Sequence, residues 1–171
     1  MEMPEVFELS EVVAIVGLAE PTIKFWTKGR PLRIGPSIHR ARGKGSRNLY
    51  SRDDVVLFAL ARRMREDGLP GVAVQQAIDK AGAHLSANFV VVARLGDGKE
   101  RPASSLWNDE QWRAMLLPNQ QGMRDCFESA QGLSFPFFGN HPVLSLYALD
   151  LKQVAARVDR VIDVYRKEYD K

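Results

Sequence analysis

Apolar residues recur with helical spacing in two short stretches near the start of the chain. The first stretch runs from Ser10, which is predicted to cap a helix, to Gly17, which is predicted to end it. The second begins at Glu20 and Pro21, because proline suits the first turn of a helix, and ends at Gly29. Two short helices with so tight a connection predict a helix-turn-helix.

A longer amphipathic stretch follows an irregular segment. Ser51 is its predicted N-cap, Asp53 and Asp54 suit the positive end of a helix, and Gly68 is the predicted stop. Residues 71–82 then predict a fourth, shorter helix. The first half of the chain is therefore predicted to be a small helical domain.

The second half is predicted to mix strands and helices. Residues 89–95 and 143–150 are rich in β-branched and apolar side chains, so we predict two strands that pair in a small α+β unit. Between them, the glycines of residues 96–98 predict a turn, and Asn108 is a predicted cap for a helix at 109–117.

The last helix carries the clearest spacing of this half. Its apolar residues follow alternating steps of three and four, the pattern of a helix that pairs with another helix. We predict that this face joins two copies of the chain; packing on the chain's own strands is the alternative. The predicted dimerisation residues are Leu151, Val154, Val158, Val161 and Tyr165.

Charge is distributed unevenly along the chain. The whole chain has a formal charge of +3, but residues 21–65 hold twelve Lys or Arg against two acids, a balance of +10, so the remainder is −7. Lys and Arg neutralise phosphates and release counterions from duplex DNA. A local basic field beside a helix-turn-helix is therefore the pattern expected of a DNA-binding module.

The irregular segment 30–48 lies within this basic stretch. It has no helical period and contains several glycines. This predicts a hairpin or wing whose backbone approaches a phosphate and whose cations pair with it, with a solvated loop as the alternative. Its basic residues around the glycines are Arg33, Arg40, Arg42, Lys44 and Arg47.

Two segments carry a family resemblance. ELSEVVAIVGLAEPTIKFW combines a hydrophobic helix with a second helix that holds the aromatic pair Phe25–Trp26. LYSRDDVVLFALARRMREDGL combines Leu-Tyr-Ser with an acidic helix start and a Gly-apolar end. Together they resemble the MerR family of bacterial winged-helix regulators over residues 6–79. Thr27 departs from the glutamate that often follows the aromatic pair, and Asn48 from the arginine common before Leu-Tyr.

With this resemblance, we expect a mainly α fold with small β content. It comprises a MerR-like winged helix-turn-helix at residues 1–83, a small α+β segment at 84–150, and a C-terminal helix at 151–171 that joins two copies.

The second helix is the expected reader in the major groove. Thr22 and Lys24 are placed to reach phosphates or base edges, whereas Phe25 and Trp26 are interpreted as core residues. The wing cations are expected on phosphates or in a minor groove. Tyr50 either donates its hydroxyl to a phosphate or packs in the core. The full predicted DNA-binding set is Thr22, Lys24, Lys28, Arg40, Arg42, Lys44, Arg47 and Tyr50.

Three classes of function compete. The first is a sequence-specific transcriptional regulator that binds double-stranded DNA as a homodimer. The second is an excisionase-like architectural protein that bends DNA. The third is an enzyme or ligand sensor in the second half, but no nucleophile–base pair, phosphate loop or paired-carboxylate motif is visible, so no enzyme is expected. Residues considered for an apolar ligand pocket are Trp107, Trp112, Phe135, Phe137 and Phe138.

The expected partners are double-stranded DNA and a second copy of the chain. RNA polymerase is a further candidate, and a small-molecule effector is left open. Cys126 and three scattered histidines form no metal-binding pattern, so no metal or cofactor is expected. The acidic start has no signal-peptide pattern, and no apolar run approaches the roughly 20 residues that span a bilayer. We therefore expect no membrane partner and a cytoplasmic, nucleoid-associated protein.

Overall fold

The computed structural model describes residues 5–41, 46–83, 89–95, 101–107, 133–134 and 142–169. It divides into two compact units. The first combines Met1–Ile78 with Gln153–Lys171, and the second is Asp79–Lys152. The C-terminal helix therefore belongs to the same unit as the N-terminal helices, rather than standing as a region of its own.

The described part of the first unit is mainly helical, as the sequence predicted. The connection between the first two helices is short, and the third helix is the long amphipathic one. The helices are α1 (Leu9–Val16), α2 (Glu20–Thr27), α3 (Arg52–Glu66), α4 (Gly71–Ala83) and α5 (Leu151–Tyr169). The end of α4 and the first two residues of α5 are assigned to the second unit.

The start of α1 differs from the prediction. Ser10 lies inside the helix and does not cap it, because the helix begins two positions earlier, after Glu8. The Glu8 N–H donates to Glu11 Oε2 at 2.6 Å, so a carboxylate satisfies a backbone donor at the helix start. The predicted stop is confirmed, since Gly17 adopts the left-handed conformation with φ of 69°.

The predicted cap of α3 is confirmed. The Ser51 Oγ accepts the Asp54 N–H at 3.1 Å, and Asp54 Oδ2 accepts the Ser51 N–H at 2.9 Å, which is a reciprocal capping box. Gly68 follows the helix with φ of 85°. These caps explain why the third helix starts and ends where its sequence predicts.

An aromatic cluster lies at the centre of the helical domain. The Trp26 and Phe58 rings are stacked with centroids 6.3 Å apart, and Tyr50 meets Phe58 edge to face at 5.8 Å. All three side chains are buried, as are Val12 and Ile23. Burial of such large apolar side chains stabilises the domain by about 1.5–3 kcal/mol each. The cluster joins α2 to α3 and so fixes the tilt of α2.

Two short strands pair next to the start of α3. β1 (Val6–Phe7) pairs antiparallel with β2 (Tyr50–Ser51), which leads directly into the helix. Between α2 and β2 the chain is irregular, yet Leu32 and Ile34 are fully buried. The Ile34 N–H donates to the Trp26 carbonyl at 3.2 Å. Leu32 and Ile34 therefore anchor this connection in the core.

The described part of the second unit contains an antiparallel sheet of four strands: β3 (Phe89–Leu95), β4 (Arg101–Trp107), β5 (Leu133–Ser134) and β6 (Pro142–Asp150). Their order in the sheet is β4-β3-β6-β5. The predicted pairing of residues 89–95 with 143–150 is confirmed by β3 and β6. β4 was not predicted, because Pro102 and two serines weaken the strand pattern; as an edge strand it tolerates a proline.

The structure assigns the apolar face of α5 differently from the predicted seam. Leu151, Val158 and Ile162 are buried within the single chain. Val154, Val161 and Tyr165, the other members of the seam, are only half-buried. Two seam residues, Leu151 and Val158, thus belong to the chain's own core, together with Ile162, which was not part of the predicted seam.

Two arginine contacts hold α5 to the N-terminal part of the first unit. Arg52, the first residue of α3, donates Nε and Nη2 to the two carboxylate oxygens of Asp159, each at 2.7 Å. These hydrogen bonds are the main cause that raises the pKa of the Arg52 guanidinium, against the opposing effect of its burial. Near the end of α5, Arg166 donates to Glu5 at 2.6 Å and lies over the Phe7 ring at 5.8 Å.

Within the described residues, no helix combines the length and the apolar character needed to cross a bilayer.

Candidate nucleic-acid interface

Helix α2 is anchored on one side and open on the other. Ile23, Trp26 and Thr27 are buried, which confirms the core assignment of Trp26. The opposite side forms a shallow groove exposed to solvent. The residues that line this groove are Glu20, Pro21, Lys24, Phe25 and Lys28. We call this groove the α2 face.

The two lysines of the α2 face differ in their electrostatic surroundings. Lys24 forms an ion pair with Glu20 one turn earlier, and both side chains are about half exposed. Such an exposed helical pair contributes only about 0.3–0.5 kcal/mol, so a phosphate readily replaces it. Lys28 is exposed and makes no ion pair within the described residues. Thr22 is half-buried at the edge of the face.

Phe25 departs from its predicted place in the core. Its side chain is 57% exposed, although Trp26 next to it is only 7% exposed. A helix of this length turns one narrow side inward, and that side is occupied by Ile23 and Trp26. Phe25 consequently belongs to the α2 face, together with the lysines.

The described limbs of the segment 30–48 agree with a hairpin. His39 and Leu49 form an antiparallel bridge, with the His39 N–H donating to Leu49 at 3.1 Å and the Leu49 N–H donating back at 2.8 Å. The Ala41 N–H donates to Asn48 Oδ1 at 2.8 Å. Two predicted wing cations, Arg42 and Lys44, lie outside the described residues.

Arg40 and Arg47, the two described wing cations of the predicted DNA-binding set, are exposed and already hold partners. Arg40 donates to the Gly35 carbonyl at 3.3 Å. Arg47 donates to both carboxylate oxygens of Glu8 at 2.9 Å, and its side chain is 74% exposed. Both partnerships lie in water, where Coulomb attraction is weak, so they leave the cations accessible to a phosphate.

The structure corrects the interpretation of Tyr50 as a phosphate contact. Tyr50 is fully buried, and its hydroxyl lies 3.1 Å from Thr27 Oγ1 and 3.5 Å from Asn48 Nδ2. The packing alternative is the one that the structure supports. Thr27 and Asn48 are the two positions that depart from the family pattern, and both serve here as polar partners of the buried hydroxyl.

A buried carboxylate organises the base of the wing. Asp54 is 4% exposed and accepts the Ser37 N–H at 2.8 Å and the Ser37 hydroxyl at 2.7 Å, in addition to its capping bond. Gly35 lies so close that a Cβ added there would meet Asp54 Oδ1 at 2.7 Å. The same residue that starts α3 therefore positions the entry to the wing.

The predicted DNA-binding set omits two cations that the structure leaves exposed, Arg30 and Arg33. Neither side chain makes an ion pair within the described residues. The backbone of Arg33 is held by Gln75 of α4, which accepts its N–H at 2.6 Å. Their signal in the sequence is the basic run itself, which continues from Lys28 without an intervening acid.

The residues considered for an apolar ligand pocket lie in the second half of the chain, away from this segment of sequence. Of these five aromatic residues, Trp112, Phe135, Phe137 and Phe138 lie outside the described residues, as does Cys126. The predicted turn at 96–98 and helix at 109–117 also lie outside them. Among the residues that are described, no group of three or more His, Cys, Asp or Glu is arranged to hold a metal ion.

Comparison with known proteins agrees with this geometry. Residues 7–81 match the model of the family described as MerR HTH family regulatory protein. The match begins in β1 and ends within α4, so it covers the α2 face and the wing. No match was found among curated proteins.

Proposed function

We propose that the chain, whose residues 7–81 match the MerR HTH family, is a DNA-binding transcriptional regulator of that family and binds a symmetric duplex site as a homodimer. The α2 face enters the major groove, and the wing cations contact phosphates or an adjacent minor groove. The observation that carries the proposal is the α2 face itself: an exposed, lysine-bearing side of a helix whose other side is locked into the core.

Charge supports this orientation. The α2 face carries Lys24 and Lys28, and the following connection carries the exposed Arg30 and Arg33. Phosphate contacts of this kind set register and orientation, whereas base contacts set sequence. We assign Lys28, Arg30, Arg33, Arg40 and Arg47 to phosphates, and Thr22 and Lys24 to base edges or phosphates near the groove.

The dimer is proposed through the side of α5 that stays partly exposed in the single chain. Val154, Val161 and Tyr165 are half-buried, and Val164 is 56% exposed. One small domain reads only a half-site, so two copies are needed for a strong site. The two α2 helices are then expected in successive major grooves, about 34 Å apart.

The decisive experiment is selection of bound duplexes from a random pool with the full chain. We expect an inverted repeat whose half-sites are centred about one helical turn apart. Recovery of no sequence, with no binding at low salt, contradicts the proposal. A single asymmetric half-site contradicts the dimer alone, and strong bending without sequence preference favours the architectural alternative.

Salt dependence tests the electrostatic part of the proposal. If about six phosphates are neutralised per complex, the logarithm of the binding constant should fall against the logarithm of salt with a slope of roughly −5. A Lys28→Ala variant neutralises fewer phosphates, so its slope should be shallower by about one unit for each phosphate left unneutralised. A slope near zero is incompatible with phosphate contacts as the source of affinity.

A further inference from the structure

Phe25 is unusual among the residues of α2. It is a large aromatic residue with 57% of its surface exposed, on a helix that buries both Ile23 and Trp26. The surrounding groove is lined by the ring of Pro21 and by Lys24 and Lys28. The fold gains little from Phe25, because more than half of the side chain stays in water.

The α2 face therefore combines an apolar centre with cationic neighbours. The long side chains of lysines keep their charged ends in water while their methylene groups border the ring. A matching surface needs negative charge around an exposed apolar group. The DNA major groove presents both, since phosphates flank it and each thymine projects its C5 methyl group into it.

We propose that Phe25 is a specificity-determining residue that contacts the C5 methyl group of a thymine in each half-site. This inference rests on the proposed function, namely that the α2 face enters the major groove. The contact selects thymine over cytosine at one position, because cytosine has no methyl group there and presents a donor rather than an acceptor. Lys24 and Lys28 hold the ring in register through the phosphates.

The test replaces thymine with deoxyuridine in the selected site. This change removes only the methyl group and leaves every hydrogen-bonding group in place. Each thymine is replaced in turn, symmetrically in both half-sites, and the affinity is measured at constant salt. We expect one position at which wild type weakens by about four-fold per half-site, the contribution of one buried methyl group. At that position, Phe25→Ala should bind the thymine and uridine duplexes equally.

Two variants make the comparison specific. Phe25→Leu retains an apolar contact and should keep part of the uridine penalty; it also decides the test if Phe25→Ala binds too weakly to measure. Val72→Ala removes another exposed apolar side chain, 65% exposed on α4, and should respond to uridine as wild type does. Circular dichroism should show native helix content in all three, because neither position is buried.

The outcomes separate this inference from the proposed function. A wild-type protein that binds its site but shows the same uridine penalties as Phe25→Ala at every thymine overturns the role of Phe25 and leaves the DNA-binding proposal intact. A selected half-site that contains no thymine likewise overturns the role of Phe25 and leaves the DNA-binding proposal intact. Absence of any DNA binding at low salt overturns both, and leaves a protein partner as the occupant of the α2 face.

Discussion

At the scale of single residues, Gly35 combines a left-handed backbone with a close carboxylate neighbour. Its φ of 42° lies in the left-handed region, and a Cβ would meet the Asp54 carboxylate at 2.7–2.8 Å. Gly35→Ala should therefore destabilise the chain by about 3 kcal/mol, since backbone strain and a steric clash add. Urea unfolding followed by the helical signal measures this effect.

Gly68 provides the matched control for that substitution. Its φ of 85° is equally unfavourable for alanine, but nothing lies within 4 Å of an added Cβ. Gly68→Ala should cost only about 1 kcal/mol, the backbone contribution alone. Equal losses in the two variants would show that the carboxylate at the base of the wing moves aside freely.

The residues of the site were only partly predictable. Lys24 and Lys28 follow from helical spacing, because their positions are fixed once α2 is recognised. Phe25 and Tyr50 could not be placed this way: both are aromatic and adjacent to core positions, yet one is 57% exposed and the other fully buried. Phe25 faces outward because Ile23 and Trp26 occupy the inward side of α2, whereas Tyr50 in β2 is buried against Phe58; both placements depend on tertiary packing.

At the scale of secondary-structure elements, the charge balance of α2 has a direct consequence for binding. Among the described residues, Glu20 is the one acid that lines the α2 face, and it pairs with Lys24. Glu20→Gln should tighten DNA binding by about three- to ten-fold at low salt, because it removes repulsion from phosphates and releases Lys24. The gain should shrink as salt is raised.

The control for this variant makes the same change of net charge on a different helix. Glu168→Gln, at an exposed position near the end of α5, should leave affinity within about two-fold of wild type. The Glu20→Gln variant itself should lose about 0.5 kcal/mol of stability, because it removes the acid from the first turn of α2. Identical affinities of wild type and Glu20→Gln would place the phosphates away from this face.

A second prediction at this scale concerns the contact between α3 and α5. Arg52 and Asp159 make two hydrogen bonds of 2.7 Å across 107 positions of sequence, with side chains 36% and 45% exposed. A double-mutant cycle with Arg52→Ala and Asp159→Ala should give a coupling of about 0.5–1 kcal/mol, reduced by solvent screening. The helical pair Arg63–Asp67 should couple by only about 0.3 kcal/mol. Independent effects at Arg52 and Asp159 would mean that the pair does not hold α5 in place.

Helices were easier to predict than strands in this chain. Ser51, Gly17 and Gly68 are local signals, and each one marks an observed helix boundary. β4 has no such signal, since a strand at a sheet edge needs neither alternation nor strong β propensity once β3 pairs with it. Leu32 and Ile34 likewise lie in an irregular segment, where no period distinguishes core from loop.

At the scale of the whole molecule, the division into two units changes the meaning of the C-terminal helix. The alternating spacing from Leu151 to Tyr165 predicted one interface, but the first unit includes Gln153–Lys171, and Val158 is only 4% exposed. Periodicity shows that a helix has an apolar face; it does not show whether the same chain or a second copy covers that face.

The last prediction separates these two roles of α5 by comparing two valines that differ in burial. Val158→Asp introduces an unpaired charge at a position 4% exposed, and should destabilise the first unit by at least about 3 kcal/mol. Val164→Asp introduces the same charge at a position 56% exposed, and should change stability by less than about 0.5 kcal/mol. In the proposed dimer, Val164→Asp should instead give a folded monomer with weakened binding to the full site. Sedimentation and urea unfolding of both variants measure the two effects. A stable monomeric Val158→Asp would return Val158 to the interface, and a Val164→Asp dimer would move the interface away from this side of α5.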